Sequence, residues 1–72
     1  MVNKSSSVQK KFGERVRKIR TQAGISQEQL GFNTRLDRTY ISGIERGTRN
    51  PTLKIIAKIA KALNVSASDL MK

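Results

Sequence analysis

A chain of 72 residues with no cysteine and no histidine is a single small domain that forms no disulfide and lacks the usual zinc ligands. Fifteen Lys and Arg against five Asp and Glu give a net charge of +10, for which a polyanionic partner is the simplest explanation. Neither an enzyme nor a cofactor-dependent protein is expected, because the few acids are scattered or sit at cap positions.

The opening stretch is polar and serine-rich, without the apolar run of a signal peptide or membrane span. Residues 1–7 are expected as a flexible arm, residues 8–72 as the folded domain, and the cytoplasm as its compartment. A first helix is predicted from near Ser7 to Ala23-Gly24. At about 100° per residue, Val8, Phe12, Val16, Ile19 and Ala23 fall within about 80° of one another and form a buried stripe. Lys10, Lys11, Arg17 and Lys18 lie off that stripe, whereas Arg20 sits at its margin and can turn inward to meet an acid.

Ser26-Gln27-Glu28-Gln29 reads as a capping box opening a second short helix, with Leu30 inward and Gly31 allowing another helix to approach. After the turn Asn33-Thr34-Arg35-Leu36, Asp37 is a good N-cap and Gly47 a good C-terminal stop for a third helix. Ile41 and Ile44 share its inner face. Arg38, Thr39 and Ser42 fall largely on another, with Tyr40 at the edge, so the first turn presents side chains suited to base edges. Two short helices joined by a tight turn, the second exposed, make a helix-turn-helix. Arg46 and Arg49 bracket the following loop, where they can hold phosphate.

Thr52 caps a fourth helix expected over Leu53 to Leu63, ended by Asn64, and Ser66-Ala67-Ser68-Asp69 caps a fifth through Leu70 and Met71. The apolar arc of the fourth helix is about 220° wide, more than one core face requires. The fifth helix covers part of it, and the remainder is expected to form a homodimer interface through Ile55, Ile59, Leu70 and Met71. No stretch alternates like a strand.

Arg20-Thr21-Gln22-Ala23-Gly24-Ile25-Ser26-Gln27-Glu28-Gln29-Leu30, then Tyr40-Ile41-Ser42-Gly43-Ile44-Glu45-Arg46-Gly47, then Pro51-Thr52-Leu53 together resemble the Cro/cI-type helix-turn-helix family, over roughly residues 8–71. The segment Leu36 to Pro51 most resembles the controller proteins of bacterial restriction-modification systems. The resemblance implies an all-α, compact five-helix lambda-repressor-like DNA-binding domain. It implies base contacts from Arg38, Thr39 and Tyr40, and contacts to the DNA backbone from Gln27, Ser42, Arg46, Arg49 and Asn50. It also implies a buried ion pair between Arg20 and Glu45. The chain departs from the family's pattern at Gly31, where Ala is common, and at Arg35, where Gly or Asn is common and a left-handed conformation is expected.

The expected function is therefore a sequence-specific, double-stranded-DNA-binding transcriptional regulator, acting as a homodimer on an inverted-repeat operator. RNA polymerase is a further partner if the protein activates, through Glu28 and the end of the second helix. The alternative is an antitoxin-like protein-binding module that also binds its own promoter.

Overall fold

A computed structural model describes residues 4–72 as five helices: α1 (Lys4–Gln22), α2 (Gln27–Thr34), α3 (Arg38–Arg46), α4 (Leu53–Leu63) and α5 (Ala67–Met71). No strand occurs among the described residues. Helix α1 starts three residues before the expected Ser7, since Lys4-Ser5-Ser6 contains neither Gly nor Pro to stop it. Of the expected arm, residues 1–3 lie outside the described residues.

The helix ends follow from local hydrogen bonds. Ser26 accepts from the Gln29 amide at 3.0 Å, Asp37 from the Thr39 amide at 2.9 Å and Thr52 from the Ile55 amide at 3.2 Å. Around Ser66 the box is complete, because the Asp69 carboxylate also accepts from the Ser66 amide at 3.0 Å. Hydrogen bonds from the Ser66 backbone and side chain, then Lys72, hold the Asp69 carboxyl below its ordinary pKa. At Ser26 only half of the expected box forms, for the Gln29 side chain turns along its helix and its Nε2 donates to Asn33 Oδ1 at 2.9 Å. The C-caps Arg35 and Asn64 are left-handed, each at φ 59°, as Arg35's place in the turn implies.

Phe12, Val16, Leu30, Ile41, Ile44, Ile59, Ala60, Leu63 and Leu70 make one core. Each large apolar side chain buried there contributes about 1.5–3 kcal/mol before the entropy of ordering it. Two members of the expected α1 stripe are outside it: Val8 is 57% exposed and Ala23 is also exposed. Periodicity identifies the inward face of a helix, but not how far along that face a neighbouring element extends. Leu53, at 85% exposed, and Ala57 likewise face outward on α4.

The expected dimer residues divide. Ile59 and Leu70 are fully buried within the chain's own core, and so are corrected to core positions. Ile55 is half-buried and Met71 is 54% exposed. The reason is that α4 packs against both α2 and α5, so the wide apolar arc is covered from two sides. At Gly31 the expected close approach is made by the turn and by the first residue of α3: a Cβ there would lie 2.7 Å from the Leu36 carbonyl oxygen and 3.6 Å from the Arg38 amide nitrogen.

Gly13 was not singled out by the sequence pattern, yet it sets how α1 meets α3. A Cβ on it would lie 2.2 Å from the Ile44 carbonyl oxygen and 2.7 Å from that of Glu45. Both obstacles are backbone, which cannot swing aside as a side chain does. Gly13→Ala is expected to cost about 1–3 kcal/mol by overpacking, despite alanine's better helix propensity. Thermal unfolding monitored by circular dichroism should show a lower midpoint; an unchanged or raised midpoint would contradict this packing.

Candidate nucleic-acid interface

Helix α3 turns its Ile41, Gly43, Ile44 and Glu45 into the protein and leaves Arg38, Thr39 and Arg46 exposed, with Tyr40 and Ser42 half-buried. The Asp37 cap places Arg38 and Thr39 in the first turn, on the exposed end of the helix. Gly47 closes the other end at φ 80°, and its amide donates back to Ile44 at 3.1 Å. A short helix capped at both ends keeps its first-turn side chains at a fixed height above the core.

Its orientation is held by a buried polar cluster. Arg20 Nε donates to Glu45 Oε2 at 2.6 Å, and Arg20 Nη2 donates to Glu45 Oε1 at 3.0 Å, a bidentate pair. The remaining Arg20 Nη1 donates to the Ile25 carbonyl at 2.7 Å, which ties down the segment leading into α2. Gln27 Nε2 donates to Glu45 Oε1 at 3.0 Å, so the start of α2 is joined to the end of α3. Glu45 raises the Arg20 pKa still further, first by accepting its hydrogen bonds and then by its charge, against the opposing effect of burial. Among the described residues no buried side-chain nitrogen or oxygen is left without a partner.

Gln27 and Arg38 line one shallow cleft, together with Ser26 and Glu28, where the N-terminus of α2 approaches that of α3. Arg49, from the loop after α3, lies over the Tyr40 ring with its guanidinium carbon 5.6 Å from the centroid, a cation–π contact. Gly43 makes the seat for it, since a Cβ there would lie 2.7 Å from Arg49 Cγ. Thr48 Oγ1 donates to the Gly43 carbonyl at 3.1 Å and fixes the start of the same loop. Arg46 Nε donates to the Ser42 carbonyl one turn back at 3.3 Å.

Arg38, Thr39, Tyr40, Ser42, Arg46 and Arg49 are thus carried by α3 and the loop attached to it. Asn50 instead borders an apolar groove beside Val8, Pro51 and Ile56. Gly43, Thr48 and the bond from Gln27 to Glu45 carry no signal in the sequence pattern. Spacing alone could not have found that bond, which spans eighteen residues. No group of three or more His, Cys, Asp or Glu able to hold a metal ion occurs among the described residues.

A helix-turn-helix family model matches residues 16–70, which include α2, the turn, α3 and α4. The control protein C.BamHI of Bacillus amyloliquefaciens is 56% identical over 61 residues, covering 83% of this chain and 75% of that protein. The control protein C.SmaI of Serratia marcescens is 45% identical over 60 residues, covering 83% and 71%. The crystal structure of the restriction-modification controller C.AhdI from Aeromonas hydrophila superposes with a TM-score of 0.84 at 48% identity, covering 86% of this chain and 94% of that one. The chain belongs to the helix-turn-helix family of DNA-binding transcriptional regulators. Within it, the chain stands with the restriction-modification controllers.

The polar cluster gives the interface its first test. Removing either side of a buried ion pair strands the other, at about 3–5 kcal/mol. Arg20→Met and Glu45→Leu are each expected to lower stability on that scale, and the double variant to lose much less than their sum. Urea unfolding of all four proteins measures the coupling directly; additive losses would show that the pair does not act as a unit.

Proposed function

We propose that this protein is a restriction-modification controller that binds DNA as a homodimer on an inverted-repeat operator, without catalytic activity, in the cytoplasm. The observation that carries this reading is the capped, outward first turn of α3, set beside the N-terminus of α2 by the Arg20–Glu45–Gln27 cluster. Excess positive charge brings the protein to any duplex by releasing counterions, with strong salt dependence. Register then comes from backbone contacts and sequence from the grooves.

Arg38 is assigned to a guanine, donating to O6 and N7 in the major groove, with Thr39 and Tyr40 contacting an adjacent base or its methyl group. Ser42, Arg46, Arg49 and Asn50 are assigned to phosphates. Gln27 has a second amide hydrogen for a phosphate while the first is held by Glu45. The Tyr40 ring limits the freedom of Arg49 before DNA arrives, which lowers the entropy lost on binding.

One α3 covers few base pairs, and two copies about 34 Å apart would read successive turns of the duplex. The residues available for that pairing differ from those expected from sequence. Pro51 and Ile56 border one uncharged groove. Leu53 lies one turn before Ile56 on α4 and, at 85%, is the most exposed large apolar side chain among the described residues. We assign the dimer contact to this patch. The outward face of α2, where Glu28 and the 79% exposed Phe32 stand one turn apart, is the surface assigned to RNA polymerase. The antitoxin-like alternative draws no support from relatives that are control proteins.

Two variants test the assignment. Arg38→Ala should relax preference at one base position per half-site by about 1–3 kcal/mol in a randomised-operator selection, whereas Arg49→Ala should weaken all sequences evenly. An unchanged base preference in the first, or a sequence-selective loss in the second, would overturn the respective role. Leu53→Glu places an acid in the first turn of α4, where the helix tolerates it. It should sediment as a folded monomer and lose operator affinity, while a variant that remains dimeric would remove Leu53 from the interface.

A further inference from the structure

The groove between α1 and α5 combines two features. Its floor is apolar, made by Phe12 and Leu70 with the exposed Val8 and Met71 at its margin. Its rim carries Lys11, Arg15, Lys18 and Lys72 against Glu14, with the Asp69 carboxylate beside Lys72. The cleft is therefore amphiphilic, with a surplus of positive charge around a greasy base.

Its position sets it apart from the reading head. At about 100° per residue, Lys18, Lys11 and Arg15 lie roughly 140–200° around α1 from Gly13. Gly13 is the residue pressed against the backbone of α3. The rim therefore stands on the side of α1 turned away from the recognition helix, where it stays accessible when α3 is in a groove. Arg15 Nε donates to the Asp69 carbonyl at 2.9 Å and anchors α5 as the groove's wall. Lys72 lies 3.4 Å from the Asp69 carboxylate, and Lys11 and Lys18 are exposed with no ion pair among the described residues.

Charge decides the occupant. A second copy of this chain meeting the groove symmetrically would set lysines against lysines, so the pairing surface is the neighbouring uncharged patch at Pro51 and Ile56. Nucleic acid would satisfy the rim but leave the apolar floor without a partner. We propose that the α1–α5 groove is a protein-docking site that takes an acidic amphipathic segment of another protein, apolar side chains on Phe12 and Met71 and carboxylates toward Lys11 and Lys18. Such a segment, laid as a helix in a groove, buries one face and pairs the edge of the other. The protein then has a surface through which a partner can join it on DNA.

The test is a titration of the isotopically labelled full chain, followed by amide NMR, with a synthetic helix-forming peptide carrying leucines on one face and glutamates on the other. It is run on the free protein and on the protein bound to a DNA duplex at low salt. Shifts are expected at Lys11, Phe12, Lys18 and Met71 in both states. Lys11→Glu/Lys18→Glu, at two exposed positions, should weaken the peptide by about tenfold or more while duplex binding by α3 persists. A polyglutamate peptide without leucines should bind more weakly than the amphipathic one. Shifts confined to α3 and the loop 47–50, equal binding of polyglutamate, displacement of the peptide from the groove by the duplex, or no shifts at all would overturn the proposal.

Discussion

Glu45 is the acceptor on which three parts of the chain converge. Arg20 reaches it from α1 and Gln27 from α2, while Glu45 itself belongs to the last turn of α3. Ile41 and Ile44 bury the apolar face of α3, and the close approach at Gly13 sets its distance from α1. The polar cluster adds directional bonds to that packing. A buried pair of this kind contributes little net stability against a well-packed apolar alternative, but misplacing either partner leaves a charge uncompensated. Its effect here is on orientation. Arg20 adds a bond to the Ile25 carbonyl, so the same guanidinium also fixes the entry to α2. The two halves of the helix-turn-helix are thereby set at one angle by one carboxylate.

The surface divides according to what the core leaves over. The capped start of α3 presents Arg38 and Thr39 to solvent, and the uncharged patch around Ile56 borders α1, Asn50, Pro51 and the end of α5. Pre-positioning is unevenly distributed across the reading head. Arg49 is held by the Tyr40 ring and by the gap at Gly43, whereas Arg38 is an exposed side chain on a fixed base. A long, free arginine in the first turn adapts to a base edge; a seated one sets the height at which the helix docks.

Much of this was legible in the sequence because caps are local. Ser26, Asp37, Thr52 and Ser66 each satisfy a free amide two or three residues on, and every helix start except that of α1 followed from them. The inward set of α3 was equally readable, since Ile41 and Ile44 have apolar neighbours in space at the expected spacing. Long-range facts were not readable from pattern. Val8 continues the α1 stripe but stays more than half exposed at the edge of the core, and Leu53 continues the α4 arc but is outside the core. Ile59 and Leu70 looked available for a partner because the arc was wide; α2 and α5 both use it. Gly13 carries no periodic signal at all, although a methyl group there would collide with two carbonyls of α3. The Arg20–Glu45 pair came from family resemblance, and the third partner, Gln27, emerged only from the geometry.

On the proposed function, α3 reads a particular DNA sequence from a paired arrangement, and charge alone does not account for binding. The most direct measurement is a selection of genomic fragments by the purified protein at physiological salt, with the bound fragments sequenced. Enrichment of one inverted repeat whose half-sites are a helical turn apart is the predicted result. Uniform recovery of all fragments, released together as salt is raised, would contradict it and leave only phosphate attraction.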